Sequence, residues 1–213
     1  MLPEQFCVRM KEMLGEEYAA FYASYDLPKY QALRINPLKT ERDTFLLQAP
    51  FSLNRVPWTT NGYYYSGNDQ PGRHPYHEAG VYYIQEPSAM APAEYLMAEP
   101  GERILDLCAA PGGKSTQIAC SMQGEGLIVC NEIHPARAKI LSENIERMGV
   151  CNALVTNETP QKLSDNFREY FDRILVDAPC SGEGMFRKNE DACDEWSPEN
   201  VENCAARQAE ILD

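Results

Sequence analysis

LDLCAAPGGKSTQIA, Leu105–Ala119, places an apolar strand, a tight glycine turn and a helix in immediate succession. Gly112 and Gly113 let the backbone approach a ligand closely, and the helix that follows presents unpaired N–H groups and its positive dipole end. The turn is therefore expected to receive a polar or anionic part of a ligand. Two ligand classes compete for it. A phosphate-binding loop needs G-x-x-x-x-G-K-[ST], and Gly113-Lys114-Ser115 supplies its second half. Its first glycine falls on Cys108, however, and Pro111 removes a backbone donor. The dinucleotide pattern G-x-G-x-x-G is absent. The other class is a nucleoside with an amino-acid tail. Glu132 stands 26 residues after Asp106, at the end of the next apolar strand, where a carboxylate can accept from both ribose hydroxyls.

Outward from this stretch, short apolar runs alternate with helical patterns, the signature of βαβ units on a parallel sheet. Strands are expected at Arg103–Leu107, Leu127–Asn131, Ala153–Thr156 and Arg173–Asp177. Helices are expected at Lys114–Met122, Pro135–Met148 and near Asn166–Tyr170. A last helix starts at Pro198 behind Ser197 as cap. Upstream, Phe6, Met10, Met13, Leu14, Tyr18 and Phe21 follow a helical period as a core-facing stripe. LRIN, Leu33–Asn36, reads as a short strand, and a Pro-, Gly-, Asn- and Tyr-rich stretch runs from Asn54 to Gly80. The expected architecture is an α/β, Rossmann-like parallel sheet carried as far as its fourth strand in residues 81–213. A small α+β lobe in residues 1–80 precedes it.

The length of 213 residues allows one domain, or a small lobe and a larger one. No stretch approaches the roughly 18 apolar residues of a membrane span, and the first residues contain no signal-like apolar run, so a cytoplasmic protein is expected. The eight cysteines lie at 7, 108, 120, 130, 151, 180, 193 and 204. That spacing is too wide for paired zinc ligands and fits reduced thiols, so no metal is expected. The formal charge is −13, of which the stretch from Glu190 to Asp213 supplies −7. A nucleic-acid binder normally carries a basic footprint, and the remaining 189 residues, at −6, permit a local basic groove.

The fourth strand leads into FDRILVDAPCSGEGMFRK, Phe171–Lys188. In an open parallel sheet the ligand crevice lies beyond the carboxyl ends of the strands. Asp177, Pro179 and Cys180 are thus expected beside the glycine turn. Gly182 and Gly184 give Cys180 a flexible loop rather than a core setting. A thiol beside a group-transfer cofactor points to one acceptor above others. An exocyclic amine carries its own lone pair, whereas carbon 5 of a pyrimidine becomes nucleophilic only when a thiolate adds to carbon 6. A base then removes the carbon 5 proton before the thiol leaves.

These residues together make the chain resemble the Sun-type RNA cytosine-C5 methyltransferases, and within them the bacterial RsmF-like enzymes of small-subunit ribosomal RNA. LRINPLK (Leu33–Lys39), YYIQEPSAM (Tyr82–Met90), the glycine turn, Asn131-Glu132 and DAPCSGEGMFRK carry the resemblance. It implies a class I methyltransferase fold, S-adenosyl-L-methionine as cofactor, ribosomal RNA as partner and an RNA-facing N-terminal lobe. Carried over, Cys108, Ala109, Ala110, Pro111, Gly112, Gly113 and Lys114 surround the cofactor, Glu132 holds its ribose and Asp177 lies near its methionine end. Thr159 takes a position near the adenine that is usually Asp. Tyr83, Gln85, Pro87 and Ser88 form a wall of the same cleft. Cys180 is similar to the cysteine that assists product release, not to the attacking one. The family's nucleophile follows a fifth strand, beyond Asp213, and neither Cys193 nor Cys204 has its Thr-Cys setting. On this reading the 213 residues alone bind cofactor without completing methyl transfer.

Arg34, Lys39, Arg187 and Lys188 are the candidate RNA contacts, each an ordinary surface charge if taken singly. A P-loop-like nucleotide hydrolase and a non-catalytic RNA-binding module are the competing readings.

Overall fold

The computed structural model describes residues 2–189 and 191–212. Glu190 and Asp213, the two ends of the acidic stretch, lie outside them, as does Met1. The chain forms two compact units: one from residues up to Lys29 with those from Ala178 onward, the other from Tyr30 to Asp177.

In the first unit, α1 (Glu4–Leu14) is followed by α2 (Tyr18–Ala23). Gly15 at φ 52° stops α1, a left-handed conformation that favours glycine. Phe6 and Met10 are buried in an aromatic core with Phe186 and Trp196, and Leu14, Tyr18 and Phe21 pack against it. Met13, assigned to the same stripe from its spacing, is instead 63% exposed, because the buried face of α1 follows Phe6, Met10 and Leu14 at four-residue steps and leaves Met13 at its edge.

The second unit opens with β1 (Ala32–Ile35), α3 (Arg42–Gln48), β2 (Leu53–Arg55), β3 (Gly62–Tyr65), α4 (Pro75–Glu78) and β4 (Tyr82–Ile84). The strands form an antiparallel sheet in the order β2-β3-β1-β4, with Leu33 paired to Tyr63 and Ile84. Leu33, Ile35, Phe45, Tyr63 and Tyr82 make its core. Within the Pro-, Gly-, Asn- and Tyr-rich stretch, Gly62–Tyr65 forms β3, buried at Gly62 and Tyr63 and half-buried at Tyr64 and Tyr65.

After α5 (Ala91–Leu96) come β5 (Arg103–Asp106), α6 (Gly113–Met122), β6 (Leu127–Asn131), α7 (Pro135–Met148), β7 (Ala153–Thr156), α8 (Pro160–Asn166) and β8 (Arg173–Leu175). The four strands are parallel in the order β7-β6-β5-β8, that of the first four strands of a doubly wound sheet. Ile104, Ile118, Met122, Ile128, Cys130 and Leu141 fill the core between sheet and helices. The helix expected near Asn166–Tyr170 lies earlier in the chain. The Thr159 hydroxyl accepts from the Lys162 N–H and Pro160 takes the first helical position, while Glu169 at φ 51° keeps the following residues out of a helix. In the first unit, α9 (Asp191–Glu195) and α10 (Pro198–Leu212) complete the chain. Among the described residues no helix is long and apolar enough to cross a membrane.

Candidate functional site

The sheet reverses direction of build at β5. The next strand in the chain, β6, lies on one side of β5, and β8 lies on the other. The carboxyl edge of the sheet at such a switch point is where a ligand crevice forms in open parallel sheets. The glycine turn fills the β5 side of it. Gly112 sits at φ 107°, and a Cβ there would meet Leu141 Cδ1 at 3.1 Å. A Cβ on Gly113 would lie 3.3 Å from both Gln85 Nε2 and Tyr83 Cε1. The twin glycines thus serve close packing as well as conformation. Tyr83 and Gln85, expected in the cleft wall, do stand against the turn. Of their neighbours, Ser88 donates its hydroxyl to Glu86 Oε1 at 3.2 Å, and the Pro87 carbonyl accepts from Trp58 Nε1 at 2.9 Å.

Charged groups converge at the strand ends. Lys114 Nζ donates to Asp177 Oδ2 at 2.6 Å, tying the first turn of α6 to the second residue past β8. Glu132, at the end of β6, is 2% exposed. Its Oε1 accepts from the His134 N–H at 3.0 Å, which fixes the carboxylate, while Oε2 meets Arg137 at 3.3 Å. Asp106, the last residue of β5, is buried. Its Oδ2 accepts from Ser115 Oγ at 2.7 Å, and Oδ1 has no partner among the described residues. Burial pushes the Asp106 carboxyl up to about 6, against the pull of Ser115 and Lys114. Burial also raises the Cys108 thiol to about 11, with the negative charges of Asp106, Glu132 and Asp177 adding to the shift. Cys108 is consequently a neutral thiol near pH 7 and not a nucleophile.

The remaining predicted residues divide. Ala109 is buried, and its N–H donates to the Asn131 carbonyl at 2.8 Å. The Ala110 carbonyl accepts from Arg137, and the Pro111 carbonyl from Asn144. The Thr159 side chain is engaged in capping α8, and Glu158 pairs with Lys162 at 2.8 Å. Asn131 clips the ends of three strands together: its amide donates to the Leu107 and Glu158 carbonyls, and its oxygen accepts from Thr156 Oγ1. Cys180, in the first unit, is exposed and not a core thiol.

Arg34 requires a correction. Read as an RNA contact, it is 2% exposed, and its guanidinium is surrounded by acceptors: Gln85 Oε1, the Gly113 carbonyl at 2.7 Å, Gln117 Oε1 at 3.2 Å and Thr116 Oγ1 at 2.8 Å. Four converging acceptors outweigh the tendency of a charge to stay in water. Lys39 is exposed, but its ammonium donates to the Ala79 and Arg147 carbonyls, each at 2.7 Å, the latter in the last turn of α7. Arg187 donates to the Leu27 carbonyl, and Lys188 is exposed. Two functional candidates were missed at the level of sequence. Asp106 entered only as a reference point, although an Asp inside ILDL is a polar residue in an apolar strand and signals a special role. Ser115 entered only as the last residue of the partial phosphate-loop match, not as a partner for Asp106.

Comparison with known proteins agrees with this geometry. The profile of the 16S rRNA methyltransferase RsmB/F family matches residues 93–213. That of the N-terminal domain of 16S rRNA methyltransferase RsmF matches residues 2–87. The chain is 39% identical over 222 aligned positions to ribosomal RNA small subunit methyltransferase F of Escherichia coli O157:H7, covering 99% of this chain and 46% of that protein. It thus spans about half the length of the curated relatives it matches. Among solved structures, PH0851 superposes with a TM-score of 0.91 at 25% identity, covering 99% of this chain and 49% of that one. A methyltransferase homolog protein from Pyrococcus horikoshii gives 0.83 at 28% identity, covering 98% and 67%. A glycine turn at a sheet switch point, carboxylates on both neighbouring strand ends and a family profile spanning more than half the residues lead to one conclusion: the chain belongs to the RsmB/F family of 16S rRNA methyltransferases.

Proposed function

We propose that this chain binds S-adenosyl-L-methionine at the carboxyl ends of β5, β6 and β8, and that the protein methylates carbon 5 of cytosine in 16S ribosomal RNA in the cytoplasm. The observation that carries the cofactor assignment is the meeting of unlike carboxylates around one turn. The Cys108 thiol between them feels Asp106, Glu132 and Asp177 at once. A triphosphate would bring several negative charges to these three carboxylates. A sulfonium with an ammonium group brings positive ones, so the electrostatics favour the nucleoside with an amino-acid tail over a nucleotide hydrolase.

The residues fit that group. Glu132 is held rigid through Oε1 and keeps Oε2 for a ribose diol, displacing the half-exposed Arg137. The unpartnered Asp106 Oδ1 is a buried acceptor at the floor of the turn. Cys108 through Lys114 line the loop, and Asp177 flanks the methionine end. When bound, the cofactor supplies an electrophilic methyl group.

Cytosine C5 as the acceptor rests on the resemblance of DAPCSGEGMFRK and on thiol chemistry. Cys180 is three residues beyond Asp177 along the chain, a reach of about 11 Å at most. Its exposure leaves the thiol available for product release. Residues 1–80 form the RNA-facing lobe, residues 81–213 the cofactor-binding domain, and Lys39, Arg187 and Lys188 are the contacts for RNA.

Two measurements test this reading. Calorimetry with S-adenosylmethionine should give saturable binding, and ATP with magnesium should give none; the reverse pattern would discard the cofactor. Incubating a protein of the relatives' length with unmodified small-subunit rRNA and labelled cofactor should place the label in 5-methylcytosine. Label found only in another nucleoside would remove the C5 assignment.

A further inference from the structure

We infer that Arg34 is a positioning residue for the glycine turn: a cation buried behind α6 that polarises the turn's carbonyls and so sharpens the donors it offers the cofactor's amino-acid tail. The inference rests on the cofactor reading above and adds a residue from the other sheet to that site. Arg34 belongs to β1, in the antiparallel sheet, where it is paired with Tyr83. Its guanidinium reaches the turn by two routes. Nη1 donates directly to the Gly113 carbonyl at 2.7 Å. Nη2 donates to Thr116 Oγ1 at 2.8 Å, and that hydroxyl donates onward to the Gly112 carbonyl, again at 2.8 Å. Both glycine carbonyls are therefore pulled toward one positive charge.

Each carbonyl shares a planar peptide with the next N–H, which points the opposite way. Fixing the Gly112 and Gly113 oxygens toward Arg34 turns the N–H groups of Gly113 and Lys114 away from it, and hydrogen-bond polarisation along such a chain strengthens those donors. Among the described residues no carboxylate touches the guanidinium. Its partners are Gln85, Gln117, Thr116 and the Gly113 carbonyl, with the Tyr83 ring 5.5 Å away. Glu94 is reached only through Gln117 Nε2, at 3.2 Å. A buried cation without a direct counter-ion is costly unless it serves something besides stability. Here its field adds to the dipole at the amino end of α6, where a carboxylate would sit.

The test uses the 213-residue chain and two variants, R34K and T116V. Lysine keeps the charge but cannot satisfy four acceptors in a fixed fork, and valine keeps the shape of threonine while cutting the relay to Gly112. Calorimetry compares S-adenosylmethionine with adenosine, which lacks the amino-acid tail, and urea unfolding monitors the fold. The expected result is a loss of about tenfold or more in S-adenosylmethionine affinity for both variants, with adenosine affinity changed less than about twofold. Undiminished S-adenosylmethionine affinity in either folded variant would overturn the inference, as would equal loss for both ligands. If R34K does not fold, T116V decides alone. An unaltered chain that bound neither ligand would defeat the cofactor reading itself, an outcome distinct from binding that the variants leave intact.

Discussion

Asp106→Asn should change how stability depends on pH, and the size follows from one buried carboxyl. Asp106 is 1% exposed, and its carboxyl is raised from 3.8 to about 6 in the folded protein. The folded state therefore holds the proton more tightly than the unfolded chain. Stability from this group is fully present below about pH 4 and is lost as pH rises through about 6. At roughly 1.4 kcal/mol per unit, the loss amounts to about 3 kcal/mol by pH 7. Glu102 and Asp172, held below the usual carboxylate range by hydrogen bonds from Arg173 and Arg103, contribute with the opposite sign toward the acid end of the range, so the raw curve is not diagnostic. The difference between the unaltered protein and D106N is. Asparagine can still accept from Ser115 and does not ionise, so constant packing effects cancel from the slope. Urea unfolding at half-unit steps from pH 4 to 7.5 should show D106N gaining about 3 kcal/mol relative to the unaltered protein across that range. A difference that stays flat within about 0.5 kcal/mol would mean that Asp106 is not desolvated as described.

Further predictions concern the turn and its neighbours. Glu132→Gln should weaken S-adenosylmethionine binding about tenfold or more by removing charge-assisted acceptors, and calorimetry showing unchanged affinity would exclude Glu132 from the ribose. Gly112→Ala should lower stability by about 1–3 kcal/mol, since alanine at φ 107° is strained and its Cβ crowds Leu141; an unmoved urea midpoint would contradict the packing described. Lys114→Met should cost less than about 1 kcal/mol, because the Asp177 side chain it pairs with is 55% exposed. A larger drop in thermal stability would show the pair to be more buried than it is here.

The parallel sheet was readable because its signals are local. β6, β7 and α7 begin and end where apolar runs, Pro135 and Gly149 place them. Of the antiparallel strands β1 was readable as LRIN, whereas β2, β3 and β4 were not, since three or four residues carry little period and the pairing of β3 and β4 with β1, and of β2 with β3, is decided by contacts distant in sequence. At the site, the glycine turn and Glu132 were visible as residue types at a spacing. Arg34 was misread for a physical reason: nothing adjacent to it in LRIN announces Gln85, Gly113, Thr116 and Gln117, which only the packed β1 strand brings within reach. Asp106 shows the converse, a charge whose significance comes from burial and a missing partner, properties that composition does not record.

The most direct test of the central claim is a crystal structure of this chain grown with S-adenosylmethionine. The account predicts density with the ribose hydroxyls on Glu132 Oε2 and the methionine carboxylate on the N–H groups opening α6, with Asp177 alongside. Density elsewhere, or a ligand in that crevice that leaves Glu132 bonded only to His134 and Arg137, would contradict it.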